Sequence, residues 1–186
     1  HLTTNNTIFG TQFHNFPDTN SSLIADMSSD IFSRVIDYSK FDLFYAGAQK
    51  NTGPAGTTLV IVKESLLSEI NKNIPSMLSY KVHIDKESMF NTPPVFPIYT
   101  AMLNLRWIKK NGGIQNIENK NREKANLIYN EIDNNSKFIG FAKKDDRSFM
   151  NVTFNLIDSE EKDIFDKICE ENNIVGINGH RSVGGY

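Results

Sequence analysis

Apolar positions fall in short continuous runs through the first third of the chain and in helical spacing through much of the rest. Asn5 to Ser22 is rich in Asn, Thr and Ser, carries Pro17, and reads as irregular. Leu23-Ile24-Ala25-Asp26-Met27 has the length of a strand, and Ser28-Ser29-Asp30 offers an N-cap for a brief helical turn through Ile31, Phe32 and Val35. Asp42 to Ala46 is a second, aromatic-rich strand. Thr57 to Val62 is a third, β-branched and apolar on both faces, as expected of a strand buried on both sides of an α/β sheet. A short helix is predicted over 64–70.

Residues 71–94 break the pattern and end in Asn91-Thr92-Pro93-Pro94, a helix stop and extended corner. From Phe96 to Lys110 the apolar residues lie almost all round, predicting a largely buried helix closed by Asn111-Gly112-Gly113. An amphipathic helix follows, with Ile114, Ile117, Ala125, Ile128 and Ile132 on one face. Met150, Val152, Phe154 and Leu156 alternate with polar residues, a half-buried strand. Ser159 is placed to cap a last helix whose inner face is Ile164, Phe165, Ile168 and Cys169. The change of period near residue 94 predicts two structural units joined by a helix.

Composition narrows the function. The 186 residues carry 20 Lys+Arg against 22 Asp+Glu, a net charge of −2, and the pI is about 6.1. That balance gives no basic face for nucleic acid. No apolar run approaches the roughly 20 residues of a membrane span, so no membrane segment is expected. The single cysteine, Cys169, excludes an internal disulfide framework and a cysteine-cluster metal site, and makes a reducing, cytoplasmic setting the default. His14 and His83 have no companions at metal-ligand spacing, so no metal is expected.

Three constellations could carry chemistry. In Ala46-Gly47-Ala48-Gln49-Lys50-Asn51-Thr52-Gly53-Pro54-Ala55-Gly56 a strand ends, and a lysine sits in a turn of small residues. Small neighbours allow a ligand close to the backbone, and an apolar pocket would favour the neutral, nucleophilic amine. The alternative is a solvated loop lysine; a P-loop is excluded because Gly56 is not followed by Lys-Ser or Lys-Thr. Asp26 ends an apolar strand, where a carboxylate needs a partner: a protonated pyridine nitrogen, or the turn at Ser28-Ser29. Finally, His180 and Arg181 in a Gly-rich loop form either an anion clamp or a solvated loop. Cys169 reads as a core residue and not as a nucleophile.

Together these residues resemble the phosphoserine aminotransferases, pyridoxal-phosphate enzymes of the fold type I aminotransferase class. Ala25 to Asp30, Ser33-Arg34, Ile36-Asp37, Tyr45 to Gly56, the Asn91-Thr92-Pro93-Pro94 corner and His180 to Gly185 match in the same order over essentially the whole chain. The resemblance implies an α/β fold. Residues 1–94 would be the C-terminal part of a cofactor-binding large domain with a mostly parallel sheet, 95–113 a connecting helix, and 114–186 a small α+β domain incomplete at its end. It implies pyridoxal 5'-phosphate held as an aldimine by Lys50, whose freed amine then shuttles the proton. Asp26 would pair with the pyridinium nitrogen, Thr7 contact the phenolic side of the ring and Gln49 the cofactor phosphate. Asn91 and Thr92 would reach the cofactor phosphate of the neighbouring subunit in a homodimer with shared sites. His180 and Arg181 would bind the substrate phosphate.

The implied reaction is amino transfer between glutamate and 3-phosphohydroxypyruvate, giving phosphoserine and 2-oxoglutarate for serine biosynthesis. Against the family's pattern the N-terminal half is missing, and the chain stops before an arginine for the substrate carboxylate, so the piece alone is expected to be inactive. Two competing readings stay open. One is another fold type I enzyme such as a desulfurase, which would need a reactive cysteine on a mobile loop. The other is a non-catalytic fragment that keeps the fold and binds no cofactor.

Overall fold

The computed structural model describes residues 1–70 and 73–180. In chain order the strands and helices are β1 (Leu2–Thr3), β2 (Asn5–Asn6), β3 (Thr11–Gln12), β4 (Ile24–Asp26), β5 (Leu43–Gly47), β6 (Thr58–Val62), α1 (Glu64–Leu67), α2 (Tyr80–Asp85), α3 (Val95–Lys110), α4 (Gly113–Asn134), β7 (Phe138–Gly140), β8 (Phe154–Leu156) and α5 (Lys162–Glu171). The chain falls into two structural units, the first made of residues 1–4 and 16–117, the second of residues 5–15 and 118–186.

The first unit is built on a four-stranded sheet in the order β1-β4-β5-β6. β1 and β5 both run parallel to β4, and β6 returns antiparallel along β5. The mostly parallel α/β sheet that the resemblance implies is therefore present. Leu23, Ala25 and Met27 around β4, with Ile31, Ile36, Phe41, Phe44 and Ala46, form its core. Phe16 and Phe44 both meet Phe41 edge-on, at 4.8 and 6.2 Å between ring centroids.

Three expectations for this unit are corrected. Residues 31–35 turn and bend and do not form a helix. Asp30 is drawn into side-chain bonds with Thr4 and Arg34, and Phe32 takes φ +60°, which no right-handed helix accommodates. β6 is not buried on both faces: it is the edge strand, and Val60 and Ile61 are exposed. α3 forms where predicted, yet among its residues only Ile108 is buried, while Phe96, Tyr99 and Trp107 face outward. An all-round apolar helix needs partners on every side, and the described residues pack one side, around Ala101 and Asn104, onto the 51–53 turn. α2, within the stretch whose pattern breaks, has no clear apolar period to announce it.

In the second unit, Ala125, Tyr129 and Ile132 of α4 are buried with Phe138, Phe149, Val152 and Phe154 packed around them. β7 and β8 pair antiparallel, so the predicted strand is shortened to Phe154–Leu156. Ile128 of α4 and Ile164 and Ile168 of α5 are exposed rather than inward; Phe165 and the buried Cys169 supply the inner face of α5. Asp158, and not Ser159, caps the turn leading into α5 by accepting from Glu160 N–H.

Residues 5–15, a hairpin of β2 and β3, are held in this unit by polar contacts. Ser148 hydroxyl donates to Asn5, Asn5 Nδ2 donates to Asn151 at 2.8 Å, and Ser148 N–H donates to Gly10 carbonyl at 2.9 Å. Gly10 is required twice over: φ is +64°, and a Cβ there would lie 2.3 Å from Thr153 Oγ1 and 2.8 Å from Asn151 carbonyl oxygen. Tyr129 hydroxyl donates to Ser148 carbonyl at 2.9 Å, and burial pushes its pKa up to about 12.

Arg147 grips Asp133 with both terminal nitrogens, at 2.9 and 2.7 Å, and its guanidinium lies 4.4 Å from the Tyr129 ring centroid. Hydrogen bonds from Arg147 and Lys144 hold the Asp133 carboxyl well below the usual carboxylate range. A carboxyl depressed in the folded state stabilises above its unfolded pKa of about 4, and that contribution is lost as pH falls through the acid range. The urea midpoint, followed from about pH 7 to about pH 2.5, is therefore expected to drop through the acid range, and Asp133→Asn to flatten that drop while lowering the midpoint at neutral pH. An acid limb as steep in the variant as in the parent would contradict this role.

Candidate active site

Parallel strands deliver the loops at their carboxyl ends side by side, the place where α/β sheets hold ligands. Asp26 closes β4 and lies in register with Tyr45 of the neighbouring β5. Its Oδ1 accepts Ser28 N–H at 2.8 Å. Burial first, then the Asp26 charge and hydrogen bond, raise the Tyr45 pKa. His1 stacks on Tyr45 at 6.0 Å between centroids, with Nε2 3.2 Å from the tyrosine oxygen. The half-buried Asp26 is thus an anchored carboxylate with its head at the end of the sheet.

The turn behind that carboxylate is buttressed from within. Asp30 is fully buried, accepts the Thr4 hydroxyl, and takes Arg34 Nη2 and Nε at 2.9 and 3.2 Å. Thr4 N–H also donates to Asp26 carbonyl at 3.0 Å.

β5 ends at Gly47, and the chain turns over Ala48 before β6. Thr52 and Gly53 N–H both donate to Ala48 carbonyl, at 3.1 and 2.8 Å, and Ala48 N–H donates to Thr57 carbonyl at 2.9 Å. Lys50 and Gln49 stand on the outer side of this turn, exposed. Its floor rests on α3. Asn104 Nδ2 donates to the carbonyls of Asn51 and Thr52 at 2.8 and 3.2 Å, and a Cβ at Gly53 would sit 3.3 Å from Ala101 N. The lysine turn is thus pinned from two sides, and Ser28 Oγ accepts Gly47 N–H at 3.1 Å across from the Asp26 turn.

The other candidates fall elsewhere. Asn91 and Thr92 stand exposed on the connection into α3, in the first unit. Thr7 lies at the tip of the β2–β3 hairpin, where Asn6 Oδ1 accepts Ile8 and Phe9 N–H, both at 3.0 Å. Thr7 and His180, with Met150, Asn151 and Thr153, line one cleft of about 590 Å³ in the second unit. The structure brings these two together although 173 positions separate them (180 − 7). Arg181 lies outside the described residues. Cys169 is buried on α5. Among the described residues no group of three or more His, Cys, Asp or Glu side chains could hold a metal ion, and no helix is long and apolar enough to cross a membrane.

Sequence reasoning missed Tyr45, Thr4, Asn51, Asn104 and Ser148. These polar residues act through partners far along the chain, so no local spacing marks them. Thr4 and Asp30, both fully buried polar residues, are the clearest case.

The sequence model of the Aminotransferase class-V family matches residues 1–185. The chain belongs to this family. It is 60% identical over 186 residues to the phosphoserine aminotransferase of Flavobacterium psychrophilum and 51% identical over 186 residues to that of Bacillus subtilis, covering all of this chain and 52% of each relative. Among solved structures, the phosphoserine aminotransferase of Bacillus circulans subsp. alkalophilus superposes with a TM-score of 0.93 at 49% identity, over 98% of this chain and 51% of that one. A PLP-bound phosphoserine aminotransferase from Trichomonas vaginalis gives 0.90 at 35% identity, over 99% and 53%. The chain spans about half the length of the curated relatives it matches.

In a class-V aminotransferase chain the carboxylate turn must hold its shape, and Asp30 with Arg34 is the buried pair beneath it. Arg34→Ala would leave a fully buried carboxylate without its cation, a loss expected to destabilise by about 3–5 kcal/mol. Chemical denaturation is the measurement, and a loss below about 1 kcal/mol would show the pair to be dispensable.

Proposed function

We propose that the chain is part of a phosphoserine aminotransferase, exchanging an amino group between glutamate and 3-phosphohydroxypyruvate with pyridoxal 5'-phosphate as cofactor. The observation that carries this reading is that Asp26 and the Lys50 turn lie at the ends of two adjacent parallel strands, with Gly47 N–H donating to Ser28 Oγ between the two turns. The donor set fits the cofactor: an anchored carboxylate for a ring nitrogen, and an exposed amine on a turn of small residues for an aldehyde. Bound pyridoxal phosphate supplies the electron sink that lets an α-proton leave.

The residues of this chain do the rest. The Asp26 carboxylate would hold a proton on the ring nitrogen, with Ser28 N–H fixing its orientation. Lys50 Nζ would hold the cofactor aldehyde, and as a free amine would carry the proton from the substrate α-carbon. Gln49 binds the cofactor phosphate, and Thr7 contacts the phenolic side of the ring. Asn91 and Thr92 reach the cofactor phosphate of a second copy, as part of a homodimer. His180 and Arg181 bind the phosphate of the substrate, whose dianion a paired imidazole and guanidinium suit. A large domain holding the cofactor, a small domain meeting the substrate and a cytoplasmic setting belong to the same reading. A desulfurase is disfavoured because Cys169 is buried on α5 and not carried on an exposed loop.

The test uses the full-length protein. Incubation with pyridoxal phosphate, reduction with borohydride and peptide mapping should place the label on Lys50. Lys50→Ala should abolish labelling and lower transamination on the order of 10²–10⁴-fold or more, the scale of a lost general acid–base group. A full-length protein that takes up no label at Lys50 overturns the proposal in favour of a fold that binds no cofactor.

A further inference from the structure

Asn51 follows Lys50 directly, yet its side chain points the other way. Nδ2 donates to Ser29 carbonyl at 3.2 Å and to Ile31 carbonyl at 3.1 Å, two groups on the turn that follows Asp26. Its backbone carbonyl accepts Asn104 Nδ2 from α3 at 2.8 Å. One residue therefore touches three parts of the first unit: the turn behind the carboxylate, the turn that carries the lysine, and the helix beneath it. The Ser28–Gly47 bond closes the same gap from its other end, and Ser28 N–H is itself on Asp26 Oδ1.

We propose that Asn51 is a positioning residue that staples the Lys50 turn to the Asp26 turn and so fixes the separation between amine and carboxylate. This rests on reading Lys50 and Asp26 as the two ends of one cofactor site. A ring held at its nitrogen by one turn and at its aldehyde carbon by another needs both turns at a fixed distance. A displacement of about 1 Å in such a constellation costs on the order of 10²-fold in rate. Pairing of β4 with β5 fixes the register only as far as Asp26 and Tyr45, and β5 continues along β6 to Gly47; beyond Asp26 and Gly47 the chain is turn, and side-chain bonds must carry the geometry. The carboxamide suits the place because two donor hydrogens on one nitrogen meet two carbonyls, which a hydroxyl or a carboxylate cannot do.

Asn51→Ala and the milder Asn51→Ser, both neutral, test this in the full-length protein. In the cofactor-free protein, hydrogen exchange should speed up about tenfold in both the 27–34 and the 48–53 segments of the alanine variant, the cost of two lost hydrogen bonds, with β4 and β5 unchanged. With pyridoxal phosphate bound, the pH midpoint of the visible absorbance should move, and kcat should fall about tenfold with KM within about twofold, the pattern of lost transition-state positioning. The serine variant should lie between parent and alanine, and it carries the test if the alanine variant does not fold. Wild-type exchange in both segments together with an unmoved absorbance midpoint overturns the staple. Absence of borohydride label on Lys50 in the parent protein would instead overturn the cofactor reading, and the exchange rates would still decide whether Asn51 joins the two turns.

Discussion

The parallel pairing of β4 with β5 is the constraint on which the rest of the first unit depends. Ile24, Ala25 and Asp26 lie against Leu43, Phe44 and Tyr45, and the alternation of the strand sends Leu23, Ala25 and Met27 into one core. Once those apolar residues are buried, Asp26 must emerge at the carboxyl end of the sheet beside Tyr45, and the lysine turn must follow at the end of the next strand. A slip of one residue would turn the core residues to solvent and the carboxylate inward, where it would have no partner. Register, core and candidate chemistry are therefore one choice made by the same side chains.

What strand pairing begins, buried polar groups complete. Asp30 with Thr4 and Arg34 shapes the turn behind the carboxylate, while Ser28, Asn51 and Asn104 tie the lysine turn to it and to α3. The second unit uses the same device: Ser148, Asn5, Asn151 and the Tyr129 hydroxyl seat the hairpin whose tip is Thr7. Hydrogen bonds of this kind are individually modest, but an unpaired partner left in a buried place is costly. Each node therefore selects one geometry more than it adds stability. The proposed amino transfer, with a proton passed between fixed atoms, would ask for that selectivity.

The legible part of the fold was that which local period controls. β5, β6, α3 and α4 form close to where the apolar spacing puts them, and β4 marks the strand that ends in Asp26. Turn chemistry misled at 28–35, because Asp30 has the side chain of a cap but Arg34, four residues on, and the distant Thr4 claim it. Burial misled at β6, α3 and α5, because an apolar face shows only that cover is favourable, not that an element is there to supply it. The site was legible to the same extent: the lysine turn and Asp26 stand out by composition, whereas Tyr45, Asn51 and Ser148 acquire meaning only from what they touch.

By itself the sequence determined three of the four strands of the first sheet, β4, β5 and β6, the small-residue turn that carries Lys50, the carboxylate at the end of an apolar strand, and the family resemblance these make together. The first three depend on residues within a few positions of one another, and the resemblance adds only the order of such motifs along the chain. Only the tertiary structure decided that residues 5–15 group with the second unit, that Thr7 and His180 share a cleft, and that the Asp26 and Lys50 turns are joined side chain to backbone. The reason is physical: hydrogen bonds between polar side chains and distant backbone groups have no period along a chain, and their partners are chosen by the burial of apolar residues that lie between them.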